Sequence, residues 1–224
     1  MTEIFPRLEI LPPSQRRIWP ELCAIPKDFV LYGGTALALH LGHRESADFD
    51  FFGGRKFDVR ALETGIPFLA GAKIIQRAED TVTAIVQRGG PVRISFFGVP
   101  GLSRLEPPLV VKDNGLQVAS LLDLAGTKAS VIQVRAQARD YIDMDALITL
   151  GKVSLPTALV AAAKIYGPSF NPQITLKALS YFDDGNLRDL PEAMKLRLVT
   201  AARETDLNHL PGIEPTGRDF GHEL

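Results

Sequence analysis

Two aspartates separated by a single residue are the clearest sign of chemistry in this sequence. Asp48 and Asp50 lie in the stretch ADFDFF, where acidic and aromatic residues alternate. This period of two predicts a β-strand with both carboxylates on one face and phenylalanines on the other. Mg²⁺ takes oxygen ligands, often a few carboxylates, and completes its shell with water and substrate phosphate. The aspartate pair therefore predicts a divalent metal site.

A glycine pair and a threonine precede the aspartates by little more than one short helix. Gly33, Gly34 and Thr35 stand between FVLY, a predicted buried strand, and ALALHLG, a predicted helix. Backbone N–H groups at a helix start bind anionic oxygens, and Thr35 adds a hydroxyl donor. Alone, the glycines could form a tight turn and the aspartates a solvated face. Their order together predicts a pocket for a nucleoside triphosphate and its metal.

The elements that must position these residues form a mixed N-terminal half. The segment SQRRIWPELCAIPKDF predicts an opening helix capped by Ser14. The dipeptide Asn114-Gly115 between two apolar runs predicts a hairpin. After a helix in DVRALETGIPFLAG, three strands are predicted in AKIIQRA, TVTAIVQRG and VRISFFGV.

The second half of the chain has a different period. From Ser120, a predicted cap, apolar residues recur at three- and four-residue spacing, which predicts successive helices. The last segment, PGIEPTGRDFGHEL, is polar and rich in glycine and proline, which predicts a loose tail. The predicted fold class is α+β, with an α/β core over residues 1–119 and a helical subdomain over residues 120–224 that completes the cleft.

Composition restricts the classes of protein that this chain can belong to. Its 224 residues are 46% hydrophobic and 23% charged, with a net charge of −1, as in ordinary soluble domains. Near-neutral charge does not indicate a nucleic-acid partner, although a local basic cleft is compatible with it. Cys23 is the one cysteine, which fits a reducing cytoplasm, and its apolar neighbours predict a packing role. We found neither a signal peptide nor a bilayer-spanning run, so we expect a cytoplasmic protein with no membrane partner.

The segment GGTALALHLGHRESADFDFF resembles the first motif of the AbiEii/AbiGii toxin family. That family belongs to the DNA polymerase β-like nucleotidyltransferase superfamily, which carries Gly-Gly or Gly-Ser and then Asp-x-Asp on a strand–helix–strand unit. The resemblance implies a nucleotidyltransferase-type mixed sheet with a helical C-terminal half. It also implies that Asp48 and Asp50 are catalytic and bind Mg²⁺ or Mn²⁺. Arg44 could reach the phosphates or pair with a nearby acid, and Ser46 could orient the first aspartate.

The resemblance continues into the helical half, where the family carries Leu-x-x-x-Lys and Arg/Lys-Asp-x-x-Asp. The matching segments are LAGTK, which ends at Lys128, and RDYIDM, which begins at Arg139. By the resemblance, Lys128 neutralises the triphosphate, and Arg139, Asp140 and Asp143 line the same cleft. A lysine is a suitable point-charge partner for phosphate. The simpler alternative for Arg139 and Asp143 is an i, i+4 ion pair on a helix surface.

One part of the superfamily pattern is missing. Superfamily members often place a third carboxylate on a later strand, where it accepts the proton of the attacking hydroxyl. The matching strand, VRISFFGV, offers Arg93 and Ser95 instead of an acid. Either Asp143 or Asp140 replaces it, or two carboxylates suffice with substrate-assisted deprotonation, or catalysis is lost and binding remains. The first alternative is favoured.

These observations lead to one functional prediction and two alternatives. The prediction is metal-dependent transfer of a nucleoside monophosphate from a nucleoside triphosphate to an acceptor, first of all tRNA. By the resemblance, the protein is the toxin of a type IV toxin–antitoxin system and has a cognate antitoxin as partner. The first alternative is a catalytically impaired nucleotide-binding or interaction module. The second is an antibiotic-modifying enzyme, whose acidic pocket would come from Asp183, Asp184 and Glu192.

Overall fold

The computed structural model describes residues 2–213. They form two compact units, one made of residues 2–102 and 107–119, the other of Ser103–Glu106 and residues 120–213. The predicted loose tail lies for the most part outside the described residues, and Pro211 to Ile213 have no regular structure. The predicted domain boundaries, an α/β core over residues 1–119 and a helical subdomain over residues 120–224 that completes the cleft, stay a prediction.

The first unit contains a mixed sheet of eight strands in the described part of the chain. The strand order is β1-β7-β8-β2-β3-β6-β5-β4. Strand β3 is antiparallel to β2 and parallel to β6, while β4, β5 and β6 form an antiparallel meander. The strands are β1 Glu3–Ile4, β2 Phe29–Tyr32, β3 Asp48–Gly53, β4 Lys73–Ala78, β5 Thr81–Gln87, β6 Pro91–Gly98, β7 Leu109–Val111 and β8 Gln117–Val118.

Most strand predictions for this unit are confirmed. β7 and β8 are antiparallel around the predicted Asn114-Gly115 turn. Strand β1 was not predicted, because two residues are too few to show a period, and β1 gains its structure by parallel pairing with β7. The predicted α+β fold class is also confirmed.

The two faces of β3 differ as the alternation predicted. Phe49 and Phe51 are fully buried, whereas Asp48 and Asp50 are partly exposed. The Phe51 ring stacks on Phe96 of β6, with ring centroids 5.3 Å apart, and Trp19 lies 6.5 Å from Phe49 on the same face. Aromatic burial of this kind is among the largest contributions to a core. It anchors β3 on one face, which leaves the opposite face for the carboxylates.

Three α-helices accompany the sheet in the first unit, namely α1 Pro13–Ile18, α2 Gly33–Leu41 and α3 Val59–Gly65. The predicted opening helix is wrong in its details. It begins at Pro13, which suits the first helical position, rather than at a Ser14 cap, and it becomes a 3₁₀ segment over Trp19–Ala24. The packing role predicted for Cys23 is also wrong. Its side chain is exposed because Leu22 and Ile25 take the inward positions of that segment.

The second unit is helical, as predicted. Its helices are α4 Leu121–Val131, α5 Ala138–Thr149, α6 Leu155–Tyr166, α7 Pro172–Ala178 and α8 Glu192–Glu204. The predicted Ser120 cap is confirmed, since its hydroxyl accepts a 3.0 Å hydrogen bond from the Asp123 N–H. Helix α4 packs closely on α6, because a methyl group on Gly126 would lie 2.9 Å from the Ala161 backbone. Among the described residues, no helix has both the length and the apolar character to cross a bilayer.

Candidate active site

The turn between β2 and α2 faces the aspartates of β3. Gly33 has φ of +73°, a left-handed conformation that glycine adopts without the strain of a Cβ atom. A methyl group placed there would lie 3.2 Å from Oδ2 of Asp50, which is tighter than ordinary packing. The first glycine thus allows both the turn and the approach of a carboxylate to the start of α2.

The second glycine makes room for a cation. A methyl group on Gly34 would overlap the Arg44 guanidinium and would lie 3.1 Å from the Ser46 hydroxyl. Arg44 also donates a 2.8 Å hydrogen bond from NH1 to the Glu45 carbonyl. The structure therefore brings Arg44 and Ser46 to the glycine turn, while the phosphate contact predicted for them stays a prediction. The positive charge of Arg44 adds to the partial positive charge of the α2 N-terminus, where anions bind favourably.

Thr35 connects the turn to the strand that carries the aspartates. Its side chain is buried, and its hydroxyl donates a hydrogen bond to the Asp48 carbonyl. The Ser46 hydroxyl lies 2.9 Å from the Thr35 hydroxyl oxygen. A hydroxyl has one proton to donate, and here Asp48 receives it. The structure thus gives Thr35 a positioning contact at the start of β3, and the predicted hydrogen bond to phosphate stays a prediction.

Asp48 and Asp50 present two carboxylates that a divalent ion could bind. They project from one face of β3 and are both partly exposed. In the described part of the chain, no three His, Cys, Asp or Glu side chains come together as a metal site. An ion held by this pair would therefore complete its shell with water and phosphate, as Mg²⁺ commonly does. The residues present fit Mg²⁺ or Mn²⁺.

The neighbouring strand shows what stands in place of a third carboxylate. In the parallel register, Arg93 is the partner of Asp48 and Ser95 is the partner of Asp50. Partner residues on adjacent strands project from the same face of a sheet. The prediction that Arg93 and Ser95 occupy this place is confirmed, and no acid on β6 faces the aspartate pair.

The second group of predicted residues lies in the helical unit and forms a buried ion-pair cluster. Lys128 Nζ on α4 lies 2.8 Å from Asp140 Oδ1 and 2.6 Å from Asp143 Oδ2 on α5. Its side chain is 5% exposed, and both aspartate side chains are 0% exposed. Arg135 binds Asp140 as well, at 2.7 Å from Nε and 2.9 Å from NH2. Two cations and two carboxylates thus neutralise one another inside this unit.

The cluster sets the protonation state of Asp140. Burial alone would raise the pKa of this carboxyl, but the hydrogen bonds and charges of Arg135 and Lys128 outweigh it. The net result is a pKa below the ordinary aspartate value. A carboxylate with a lowered pKa and two bound cations is a weak proton acceptor. The geometry therefore favours a positioning role for Asp140 over the catalytic role that the sequence predicted.

The family model that matches this chain is that of the AbiEii toxin, a nucleotidyltransferase of type IV toxin–antitoxin systems, and it covers residues 22–216. The chain belongs to the AbiEii family. The match extends over the glycine turn, the aspartates of β3 and the lysine cluster, so both groups of predicted residues lie within it.

One protein relative and two solved structures are similar to this AbiEii member. An uncharacterized protein of Aquifex aeolicus (strain VF5) is 32% identical over 162 residues, which cover 71% of this chain and 76% of that protein. The nucleotidyltransferase toxin MenT4 of Mycobacterium tuberculosis H37Rv is similar in fold, with a TM-score of 0.60 and 15% identity over 87% of this chain and 83% of that chain. A candidate nucleotidyltransferase of H. pylori has a TM-score of 0.52 and 19% identity over 85% and 90% of the two chains.

Two site details in this AbiEii protein were not predicted. Arg139 is exposed and has no described contact with the cluster, and Arg135 takes the place expected for it. Asp123, also buried, accepts hydrogen bonds from the Leu105 and Glu106 N–H groups at 2.9 and 3.2 Å. Burial raises the pKa of Asp123 despite these bonds. An acid three residues after a Ser cap was the sequence signal that could have identified it.

Proposed function

We propose that this AbiEii protein transfers a nucleoside monophosphate from a nucleoside triphosphate to an acceptor hydroxyl, in a reaction that depends on Mg²⁺ or Mn²⁺. The proposed acceptor is tRNA, and the proposed role is that of the toxin in a toxin–antitoxin pair. The observation that carries the proposal is the approach of Asp50 Oδ2 to the Gly33 turn, at 3.2 Å from the position of a Cβ. Carboxylates and a phosphate-binding turn then face one substrate.

The chemistry is a displacement at the α-phosphorus. The acceptor oxygen forms a bond to phosphorus, the bond from phosphorus to the oxygen bridging the α- and β-phosphates breaks, and pyrophosphate leaves with that oxygen. The hydroxyl proton passes to a phosphate oxygen of the substrate in this proposal, because Asp140 and Asp143 are fully buried and bound by Lys128. Such transfer requires mainly alignment and electrostatic stabilisation from the protein.

The candidate site residues of the first unit have different roles in this proposal. Asp48 and Asp50 would hold the divalent ion, which when bound supplies positive charge to the phosphate oxygens. The turn of Gly33 and Gly34 offers backbone N–H groups, and Arg44 at the same turn adds a full charge. Thr35 keeps the start of β3 against α2.

In the second unit, Lys128 is proposed to contact the triphosphate. In the structure it is bound by Asp140 and Asp143, so it would exchange a carboxylate for a phosphate oxygen. The exchange would leave a buried carboxylate with less compensating charge, so the contact with phosphate must offset that cost.

The test is transfer of label from α-labelled nucleoside triphosphates to unfractionated bacterial tRNA. Asp48→Asn and Asp50→Asn should each lower the rate by roughly 10³-fold or more, because an amide neither carries the charge nor binds the ion. Asp183→Asn, in an exposed loop, is the matched control and should leave the rate unchanged. Normal transfer by the Asp48→Asn/Asp50→Asn double variant would contradict the mechanism.

The metal and the toxin role need their own measurements. Chelation should abolish transfer, and added Mg²⁺ or Mn²⁺ should restore it. Induced expression in a bacterial host should stop growth with the wild type and not with the double variant. An adjacent gene that encodes an antitoxin should relieve the arrest. Growth that is equally slow with the double variant would argue against toxicity through nucleotide transfer.

One observation favours a second candidate, a nucleotide-binding module without turnover. Strand β6 presents Arg93 and Ser95 where an acid would accept the proton. Binding of nucleoside triphosphate and Mg²⁺ in calorimetry, with no transfer to RNA, protein or small-molecule acceptors, would support this candidate. The antibiotic-modifying alternative is disfavoured, since Asp183 and Glu192 are exposed and lie near Arg188 and Lys195, respectively.

A further inference from the structure

The sheet face beyond the aspartates changes its charge from one strand to the next. Asp48 on β3 is the register partner of Arg93 on β6, Arg93 is the partner of Ile85 on β5, and Ile85 is the partner of Lys73 on β4. Partners on adjacent strands share a face. One row of the sheet therefore runs from a metal-binding carboxylate to two cations.

Both cations are accessible. Arg93 and Lys73 are exposed, and in the described part of the chain neither side chain has a hydrogen bond or an ion pair. An ordinary surface cation of a sheet often pairs with a nearby acid, as Arg77 of β4 does with Glu63 of α3. These two do not, although Asp48 is the register partner of Arg93.

The parallel row through Asp50 is uncharged beyond β3. It continues through Ser95 on β6, Thr83 on β5 and Gln76 on β4. The register thus places the acids of this face on β3 and its cations on β6 and β4. Adjacent strands lie about 4.8 Å apart, so Arg93 is one strand from the proposed metal and Lys73 is about 10 Å farther along the sheet. This spacing suits a ligand that carries several negative charges and begins beside the reacting centre.

We propose that Arg93 and Lys73 bind backbone phosphates of an acceptor RNA whose reacting hydroxyl lies next to Asp48. The inference rests on the proposed function and specifies which residues bind its RNA acceptor. A polycationic acceptor would be repelled by this row, and an uncharged one would gain nothing from it. An RNA strand gains one charge-assisted contact from each cation.

The experiment measures transfer to unfractionated tRNA over a range of salt concentrations. Arg93→Gln should raise KM for tRNA roughly tenfold, the loss of one charge-assisted contact, and leave KM for the nucleoside triphosphate unchanged. The slope of log(kcat/KM) for tRNA against log salt should fall by about one unit. Arg93→Lys should restore most of the affinity, because it keeps the charge. Lys73→Gln should act in the same direction with a smaller change.

The matched control is Arg16→Gln. Arg16 is also exposed, and it lies on α1, which is followed directly by Trp19 of the aromatic side of the sheet. It should change neither KM nor the salt slope. An unchanged KM and salt slope in the Arg93→Gln/Lys73→Gln double variant would overturn the proposal, and so would a rise in KM for the nucleoside triphosphate alone.

A tRNA-binding measurement, which requires no nucleotide transfer, tests this proposal separately from the proposed function. Filter binding of the same tRNA, without nucleotide, compares the wild type with the Arg93→Gln/Lys73→Gln double variant. If the wild type transfers label to no acceptor, the proposed function fails, and the binding measurement alone decides the inference. Weaker binding and a smaller salt slope in the double variant would support it, and equal binding would overturn it.

Discussion

The aspartates of β3 and those of α5 have opposite surroundings. Asp48 and Asp50 are partly exposed beside a glycine turn, whereas Asp140 and Asp143 are fully buried on Lys128. A partly hydrated carboxylate can exchange water for a metal ion at little cost. A buried carboxylate that already has a cation must lose a strong interaction first. Carboxylates of one sequence can thus serve binding in one place and architecture in another, depending on burial and on neighbouring charge.

The largest expected effect in this comparison is that of removing the buried lysine. Lys128→Met leaves two buried carboxylates with one remaining cation and should lower the free energy of unfolding by about 3–5 kcal/mol. The matched control is Lys164→Met, on the exposed side of α6, which should change it by less than about 0.5 kcal/mol. Urea titrations followed by circular dichroism measure both. A small change in Lys128→Met would show that the cluster is not structural.

At the glycine turn, the expected loss of folding stability is smaller than at the buried cluster, but the expected loss in the rate of nucleotide transfer is large. Gly33→Ala places a Cβ at φ of +73° and 3.2 Å from Asp50, so it should cost about 1–2 kcal/mol. The displaced carboxylate should slow transfer by roughly 100-fold. Gly54→Ala is the control, since a methyl group there would meet no atom within 4 Å. If Gly33→Ala transferred at the wild-type rate, close approach of Asp50 to the turn would not matter for the reaction.

Two arginines near the buried cluster sharpen the comparison further. Arg135 binds Asp140 with two hydrogen bonds from a side chain that is 39% exposed, while Arg139 is exposed without a described contact. Arg135→Gln should lower the free energy of unfolding by about 1 kcal/mol, because solvent screens part of the interaction. Arg139→Gln should have no measurable effect on stability. The reverse ranking would contradict the assignment of Arg135 as the partner of Asp140.

The smallest expected effect is a dependence on pH. The pKa of Asp140 is lowered in the folded protein, so the unfolded chain binds a proton more readily. Stability from this group is therefore present above the ordinary aspartate pKa of about 4 and is lost as the pH falls through the lower folded value. Thermal unfolding from pH 6 down to pH 2.5 measures it. The Asp140→Asn variant should lose less stability over that interval than the wild type, and a parallel decline would contradict the assignment.

The sequence predicted the local elements better than the contacts between them. Alternation placed Asp48 and Asp50 opposite Phe49 and Phe51, because side-chain direction in a strand follows from the backbone alone. The partnership of Asp48 with Arg93 could not be predicted, since strands distant in sequence set their register through tertiary packing. The sequence indicated only that Arg93 and Ser95 stand where an acid is missing.

Helix ends explain the errors at the buried cluster. Arg139 is the second residue of α5 and is exposed. Arg135 precedes the helix, and its side chain binds Asp140 in the first turn. A spacing rule applies within a helix and fails for residues before its first turn. The exposed Cys23 has a similar cause, since it lies in a 3₁₀ segment whose period differs from the predicted α-helix.

The close packing at Gly126 limits how Lys128 can move. Both residues belong to α4, and the backbone of α6 lies against Gly126 with no room for even a methyl group. A shift of α4 along or around its own axis would drive other side chains of the helix into α6. The ammonium group can therefore reach a new partner only through torsions of its own flexible stem, while the main chain beneath it stays fixed as an anchor.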